Sequence, residues 1–244
     1  MQMGIPGTIT RWNMAPQVES VTLDPTTPPT VYGLPYKLVG GLALTLAAGD
    51  TAALVRGFLA RAFPGAPAPS PNEALNVDTP NKDYPQPGLL AGYIIVKVYG
   101  ATAAALGGKV YVRVNNADGT HPIGGVEAAS SATVSSTAIT GTGTGTLAFA
   151  ATDSSVAGTY SLVLQTTSQT SKVTVTDPTG NRLADGIVGT AYTGPGITFT
   201  ITAGGTMTAG DSYSPVVSHN TEAIPGASFN GVADVSKYAE IRFK

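Results

Sequence analysis

Several short segments of the chain alternate apolar and polar residues with a period of two, which is typical of half-buried β-strands. The alternation is strictest in 109–114, where three valines would face one way and Lys109, Tyr111 and Arg113 the other. Residues 116–119 (Asn-Ala-Asp-Gly) follow as a hairpin-type turn. Further strands are predicted at 42–46, 53–59, 93–99, 121–127 and 238–243. A helix is the alternative for 51–62, although Gly57 disfavours it.

The composition changes near residue 128. Residues 130–218 are rich in Ser, Thr and Gly and almost uncharged, and they contain six short strand candidates separated by turn signals. The clearest turn is Asp-Pro-Thr-Gly-Asn at 177–181, in which Asp caps the turn, Pro presets φ and Gly adopts a positive φ. This spacing predicts a small β-sandwich or barrel inserted into another domain. The candidates are 145–150, 158–165, 171–177, 183–188, 196–202 and 211–218.

Two segments contain too many prolines for regular structure. Residues 1–31 hold five prolines and scattered apolar residues that follow no period. A frayed terminus is one interpretation, but free tails rarely carry this much apolar surface, so we predict an extended arm that orders against a partner. Residues 64–88 hold seven prolines and are predicted to be a loop. The candidate partner-contact residues are Ile5, Ile9, Trp12, Met14 and Val18.

Together these patterns predict an all-β protein with a small β-barrel or sandwich as its base domain. The base domain comprises residues 32–129 and 219–244, and residues 1–31 form its extended N-terminal arm. Residues 130–218 form an inserted second β-sandwich domain. Helical bundles do not share this richness in Gly and Pro turns.

Charge and composition argue against several classes of partner. The 244 residues include 13 Lys+Arg and 15 Asp+Glu, a net charge of -2, so we predict no nucleic-acid partner. There is no cysteine, which excludes disulfides and thiolate-bound metals. The N-terminus lacks the basic and apolar regions of a signal peptide. The most apolar run, 38–48, is about half the length of a membrane helix, so no membrane partner is predicted.

Residues that could support catalysis are few. His121 and His219 flank the insertion but lack a third ligand at metal-binding spacing, so no metal is predicted. The alternating glycines of 141–145 lack the spacing and the following helix of a dinucleotide loop, and a flexible linker or bent strand is the preferred interpretation. No G-x-S-x-G nucleophile motif occurs. The acidic residues of the insertion lie in turn-like surroundings that favour capping: Asp153, Asp177, Asp185 and Asp211. We therefore predict no catalytic residues, no cofactor and no enzyme.

Three stretches of the base domain resemble the structural cement, or head decoration, proteins of tailed bacteriophages. The first is the strand, Gly-Asp turn and strand of 40–63, and the second is the strand of 88–100 with the segment 107–113. The third is Ile-Pro-Gly-Ala-Ser-Phe at 224–229 with the short strand that runs to Lys244. The insertion resembles a second recurring phage module, on turn-and-strand motifs at 158–162, 173–181, 189–192, 197–201 and 209–213.

The resemblance implies a non-enzymatic virion protein that cements the capsid by bridging neighbouring major capsid protein subunits. It implies synthesis in the host bacterial cytoplasm and a final position on the outer surface of the capsid. The implied partners are the major capsid protein and further copies of the chain itself, with a trimer favoured over a dimer.

Two alternatives stay open. One is a fibre- or adhesion-type virion protein whose inserted domain binds host-surface glycans. That function would need exposed aromatic, Asn and Asp side chains on the insertion loops, whereas most of the five insertion aromatics fall at strand positions. The other is an enzyme, which would need a cleft with a perturbed acid or base.

Overall fold

The protein is all-β in the computed structural model, which describes residues 5–11, 14–61, 79–135, 137–152 and 154–244. These residues form twenty strands, numbered in chain order, and a short 3-10 helix at Ala52–Leu54, so the predicted fold class is confirmed. No helix among them is long and apolar enough to cross a membrane. The chain divides into two compact units, unit 1 (Met1–Ser130 with Thr221–Lys244) and unit 2 (Ser131–Asn220). For comparison, the sequence predicts an insertion at 130–218.

Unit 1 contains nine strands that pair into one sheet. They are β1 Gln17–Leu23, β2 Pro35–Val39, β3 Leu42–Leu44, β4 Gly57–Leu59, β5 Gln86–Tyr99, β6 Lys109–Arg113, β7 Val126–Glu127, β19 Thr221–Phe229 and β20 Tyr238–Phe243. The parallel pairs are β1–β3 and β5–β7, and the remaining pairs are antiparallel.

The long strand β5 is shared by two closed five-stranded barrels. Hydrogen bonding closes one ring through β5, β20, β19, β6 and β7, and a second ring through β1, β3, β2, β4 and β5. Residues of β5 up to Ala91 pair with β1, whereas those from Gly92 onward pair with β20. Gly92 lies at this change of partner with a φ of 139°, which side chains rarely adopt. A closed ring has no free sheet edge, so each barrel is a rigid support for its loops.

Apolar side chains of unit 1 form two clusters. The larger cluster takes residues from β5, β6, β7, β19 and β20, with Phe229 and Ile241 almost fully buried. The smaller cluster comes from the strands β1 to β4 and the segment before β2. Its members are Val21, Leu23, Tyr32, Tyr36, Ala43 and Leu59.

The N-terminal segment lies along the chain's own β5. Residues 7–10 continue, past Ala91, the pairing along β5 that β1 makes with its first half. Thr10 N donates to Tyr93 O at 3.2 Å, and Ile95 N donates to Thr8 O at 3.0 Å. Ile9 forms an isolated bridge with Ile94. The predicted arm was expected to order on a partner, but over these residues and β1 it orders on β5. This pairing could not be predicted locally, because it depends on the length of β5, which binds β20 along one edge and the N-terminal segment along the other.

Two further segments of unit 1 differ from the sequence expectation. Pro87 lies inside β5 although its region is predicted to be a loop, and its carbonyl accepts a hydrogen bond from Ala60 N at 2.8 Å. Residues 62–78 of that loop lie outside the described residues. The strand predicted at 121–127 is reduced to β7, because the Asp118 carboxylate holds the His121 amide in a turn at 2.9 Å.

The segment predicted as a strand or a helix at 51–62 is described as far as residue 61, and up to that point it forms neither a full strand nor an α-helix. The 3-10 helix Ala52–Leu54 is followed by the three-residue strand β4. The amide of Ala52 donates to the Glu222 carboxylate at 2.7 Å, which ties this short helix to β19.

Unit 2 contains eleven strands in three sheets. They are β8 Ala132–Ser135, β9 Ile139–Thr140, β10 Thr146–Ala151, β11 Gly158–Thr159, β12 Ser161–Leu164, β13 Lys172–Thr176, β14 Gly186–Ile187, β15 Tyr192–Gly194, β16 Ile197–Thr202, β17 Ser212–Tyr213 and β18 Val216–His219. The sheets are ordered β10-β16-β15, β11-β18-β8 and β14-β13-β12-β17-β9.

The core of unit 2 is built around an aromatic row. Phe199 in β16 pairs with Phe149 in β10 on one side and with Tyr192 in β15 on the other. Its ring centroid lies 4.5 Å from that of Tyr192 and 6.1 Å from that of Phe149, and both pairs are stacked. Gly186 makes room, since a Cβ there would lie 2.9 Å from the Phe199 ring. Aromatic pairs of this kind contribute about 0.5–1.5 kcal/mol beyond the burial of their area.

Candidate interaction surfaces

The five candidate contact residues of the N-terminal segment have different surroundings. Ile9 is 4% exposed in the larger core cluster, so its side chain stabilises unit 1 and presents no surface to a partner. Ile5 is half-buried, and Trp12 lies outside the described residues. Met14 and Val18 are 56% and 40% exposed, so they offer apolar surface to the solvent.

An ion pair ties the N-terminal segment to the last strand. Arg11 Nη2 lies 2.9 Å from Glu240 Oε2, and its guanidinium stacks over the Tyr93 ring at 4.4 Å. Thr10 and Asn230 also donate hydrogen bonds to this carboxylate. Burial opposes ionisation of Glu240, but the hydrogen bonds from Arg11, Thr10 and Asn230 outweigh it and lower the pKa of the carboxyl.

The β2–β3 hairpin carries an exposed apolar tip. Leu38 and Val39 are 39% and 54% exposed on its first strand. Gly40 and Gly41 form the connection with φ values of 59° and 84°, the two positive values that a tight type I′ turn requires. Among the described residues, no atom beyond the immediate chain neighbours lies within 4 Å of where a Cβ on either glycine would be, so the tip projects from the barrel.

A second exposed apolar group lies on two loops that meet at one end of the barrel formed by β5, β20, β19, β6 and β7. Leu106, Val232 and Val235 are 75%, 65% and 101% exposed. The loops are joined by backbone hydrogen bonds, including Gly107 N to Phe229 O at 2.8 Å. The turn around Val235 is held by the Asp234 carboxylate, which accepts from the amides of Ser236 and Tyr238 at 2.9 Å each. Val235 is therefore presented by an ordered turn.

A buried charged cluster lies beside the end of β5. Arg113 Nε donates to Glu127 Oε1 at 2.6 Å, and both side chains are less than a tenth exposed. His121 Nδ1 lies 3.1 Å from the same carboxylate oxygen and 3.2 Å from Arg113 Nη2. The Arg113 Nη1 donates to the carbonyl of Asn116 at 3.0 Å, which fastens the loop after β6 to the barrel.

This cluster opens onto a shallow groove of about 420 Å³. Its lining includes Lys97, Tyr99, Gly100, His121 and Lys237. No group of three potential metal ligands occurs among the residues that the structure describes. The carboxylate of Glu127 is engaged by Arg113, and the arrangement is that of an anchor for a loop.

The other histidine belongs to unit 2. His219 Nε2 lies 3.1 Å from the hydroxyl of Ser155, which in turn donates to Thr152 O at 2.6 Å. The two histidines flagged in the sequence are thus each held by neighbours within their own unit.

The glycine-rich run at 141–145 surrounds a buried carboxylate. Asp211 is 4% exposed, and it accepts from Thr142 N at 3.0 Å and from Thr208 N at 3.2 Å. A Cβ on Gly141 would lie 2.7 Å from the Asp211 carboxyl carbon. Glycines are required there because backbone and carboxylate approach closely, so this run is a structural feature of unit 2.

The predicted turn at 177–181 is confirmed. Asp177 Oδ1 accepts from the amides of Thr179 and Asn181 at 2.9 Å each. The hydrogen bond from the Thr179 hydroxyl contributes most to lowering the pKa of Asp177. Gly180 adopts a φ of 88°, as the turn chemistry requires.

The five aromatic side chains of unit 2 are buried or half-buried. They are Phe149, Tyr160, Tyr192, Phe199 and Tyr213, and all belong to its core or pack against it. The glycan-binding alternative depends on exposed aromatic side chains on the loops, and these five positions do not provide them.

The exposed apolar residues at 38, 39 and 235 were not among the sequence candidates. An alternating pattern shows that a strand has an apolar face, but it does not show whether the fold covers that face. The prolines of residues 1–31 predict an irregular segment there. The Gly-Gly dipeptide at 40–41 is the sequence feature that predicts a tight hairpin turn beside Leu38 and Val39.

Comparisons with known proteins identify a family. The family described as XM1 gp53 minor capsid protein matches residues 1–164. No curated protein matches the chain. Among solved structures, the crystal structure of Xanthomonas campestris FlgL matches at 16% identity and a TM-score of 0.27, over 78% of this chain and 46% of that chain. The chain thus spans less than half the length of that protein, and a TM-score this low carries no structural argument.

The family match covers more than half of the chain, so the chain belongs to the XM1 gp53 minor capsid protein family. Membership indicates a structural role in the phage virion and a location there, and it suggests a protein that is not an enzyme. The predicted resemblance to phage capsid proteins is confirmed at this level.

Proposed function

We propose that the protein decorates the outer surface of the phage capsid and cements it by bridging neighbouring major capsid protein subunits. The observation that carries the proposal is the exposure of Val39 and Val235 on ordered turns of two different barrels in one unit. Family membership supplies the virion context.

Rigid presentation makes these turns suitable anchors. Binding costs less when the contacting loop is already ordered, because fewer side chains and backbone angles must be fixed. Val39 flanks a Gly-Gly turn, and Val235 lies in a turn closed by Asp234. Met14 and Val18 add exposed apolar surface on the N-terminal segment, and in this proposal they contribute to the capsid contact.

Bridging follows from having two separate anchors. When one anchor is bound, the second meets its partner at a high effective concentration, so two modest contacts give durable attachment. A protein that binds only the mature lattice stabilises that lattice by linkage. No covalent chemistry or cofactor is required. A homotrimer at a symmetry axis of the shell would multiply the contacts further.

The test uses purified heads that lack this protein. We expect wild-type protein to bind in a fixed ratio to the lattice and to raise the melting temperature of the particles. Val39→Asp and Val235→Asp should each lower occupancy, because a charge replaces an apolar anchor. Ile187→Asp in unit 2 is the matched control, since Ile187 is 44% exposed and should tolerate the change. Particles that melt at the same temperature with and without the protein would exclude the cementing role.

A further inference from the structure

The outer surface of the β5–β20 pair combines tyrosines with basic residues. Strand β20 alternates, with Ala239, Ile241 and Phe243 buried and the residues between them facing outward. On strand β5 the inward side is formed by Ile94, Val96 and Val98, and Ile95 on the outward side is also buried, so only Tyr93, Lys97 and Tyr99 are accessible there. We call the outward set the basic tyrosine face, and it consists of Arg11, Tyr93, Lys97, Tyr99, Tyr238 and Arg242.

Cations and rings are interleaved on this face. The strand register places Tyr93 opposite Arg242 and Lys97 opposite Tyr238. Side chains directly opposite one another in antiparallel strands have Cβ atoms about 4.5–5.5 Å apart. Lys97 Nζ lies 5.3 Å from the centre of the Tyr99 ring, and Arg11 covers Tyr93. The rings therefore hold Lys97 and Arg11 in place at the surface.

The positive charge of the face exceeds its negative charge. Lys97 and Arg242 are exposed, and neither has a carboxylate within 4 Å among the described residues. One carboxylate, that of Glu240 on β20, lies among these residues and is already bound by Arg11. Three cations against one anion leave the face at about +2, although the whole chain carries -2.

We propose that the basic tyrosine face docks on a carboxylate-rich surface of a protein in the virion. The inference rests on the proposed function, since it supplies the chemistry by which the decoration protein meets the capsid. Tyr and Arg are the residues that most often contribute strongly at protein interfaces. Carboxylates would pair with Lys97 and Arg242, and the tyrosine rings would pack against the aliphatic parts of the partner's side chains. Such complementarity speeds association and selects the orientation of docking.

The size and charge of the face favour a protein partner over a nucleic acid. Six to ten phosphate contacts are usual for a duplex-binding surface, and this face has three cations beside a carboxylate. Strand spacing and rise give it an area of about 400 Å², which is about half of one side of a standard protein interface. The contact is therefore a supplement to the apolar anchors at Val39 and Val235.

The first experiment measures attachment to heads that lack the protein over about 0.05–0.5 M NaCl. We expect the double variant Lys97→Glu with Arg242→Glu to attach at least tenfold more weakly at low salt and to lose much of the salt dependence of the wild type. The matched control reverses two basic residues of unit 2, Lys172 and Arg182, and should attach like the wild type. Circular dichroism and melting temperature verify that both double variants fold.

The outcomes separate the two proposals. Wild-type protein that attaches to heads, together with a double variant of equal affinity and equal salt dependence, would overturn the docking face and leave the decoration role intact. Wild-type protein that does not attach at all would remove the decoration role itself.

Carbodiimide cross-linking of intact virions tests the face independently of head attachment. This reagent joins an amine to a carboxylate only when the two are in contact. We expect Lys97 to be linked to an Asp or Glu of another virion protein. Links from other lysines of the chain without any from Lys97 would contradict the proposal. A gel-shift assay in which duplex DNA binds wild-type protein but not the double variant would assign the face to nucleic acid and would also contradict it.

Discussion

The buried carboxylate of Asp211 fills the space beside Gly141 that any side chain at this position would need. The glycine has a φ of 133°, and the next residue, Thr142, donates its amide to the carboxylate at 3.0 Å. The backbone at residues 141–142 and the Asp211 carboxylate thus hold each other in place within unit 2.

Replacing this glycine is therefore expected to destabilise unit 2. Gly141→Ala should lower its free energy of unfolding by about 3 kcal/mol, because the backbone is strained and Asp211 loses hydrogen bonds. Gly180→Ala is the control, since Gly180 also has a positive φ but a Cβ there would meet no atom of the described residues within 4 Å, chain neighbours apart. It should cost about 1–2 kcal/mol. Amide hydrogen exchange of residues 131–220 measures the loss of stability in each variant. Equal losses would show that the contact with Asp211 adds nothing to the cost of replacing Gly141.

The buried ion pair of unit 1 should be sensitive to the loss of one partner. Glu127→Gln leaves the Arg113 guanidinium buried without its carboxylate, which we expect to cost about 3–5 kcal/mol. Asp185→Asn removes the carboxylate of an exposed pair with Arg182 and should cost far less stability. Urea unfolding followed by circular dichroism compares the two variants. A Glu127→Gln protein as stable as the wild type would show that the hydrogen bond to Asn116 O and the solvent are enough to stabilise the Arg113 guanidinium without a carboxylate.

The strands that the sequence predicts best are those with a local signature. The alternation at 238–243 reappears as β20, and that at 109–114 as β6, which ends at Arg113. The faces of β6 were less predictable, because Tyr111 and Arg113 are buried as well as the valines. Burial of the second face depends on the loop that Arg113 anchors, and no local pattern encodes that contact.

Features that depend on distant pairing could not be predicted. The closure of two barrels on β5 and the position of residues 7–10 along its edge arise from residues far apart in the sequence. Pro87 is compatible with a strand because its carbonyl, not its missing amide, is used. For the same reason composition could not show that Val39 and Val235 stay exposed while Ile9 is buried.

Unit 2 is expected to fold without the rest of the chain. Its first and last strands pair with each other, with Ala132 opposite His219, and Asn220 N donates to Ser131 O at 2.9 Å. The two ends of the unit therefore meet in one sheet, and the core cluster is internal to it. A fragment of residues 131–220 should show a single cooperative thermal transition and the dispersed amide spectrum of a folded β-protein. A spectrum typical of a disordered chain would show that unit 2 depends on unit 1.

The ion pair between Arg11 and Glu240 makes attachment of the N-terminal segment dependent on pH. Hydrogen bonds lower the pKa of Glu240 below that of the unfolded chain, which is about 4.3. A group with a lowered folded pKa adds stability above its unfolded pKa, and this contribution is lost as the pH falls through the folded pKa. The segment should therefore loosen in acid, at pH values below the unfolded pKa, as the carboxyl takes up a proton.

Trp12 follows Arg11 and is the only tryptophan of the chain, so its fluorescence can report on this change. In wild-type protein we expect the emission to shift on acidification before the global unfolding seen by circular dichroism. Glu240→Gln removes the titrating group and should show the shifted emission already at neutral pH. Asp185→Asn, whose carboxylate pairs with Arg182 in unit 2, should leave the Trp12 titration unchanged. If the acid-induced shift persists in Glu240→Gln with the same midpoint, another carboxylate controls the segment, and the Arg11–Glu240 pair is not its anchor.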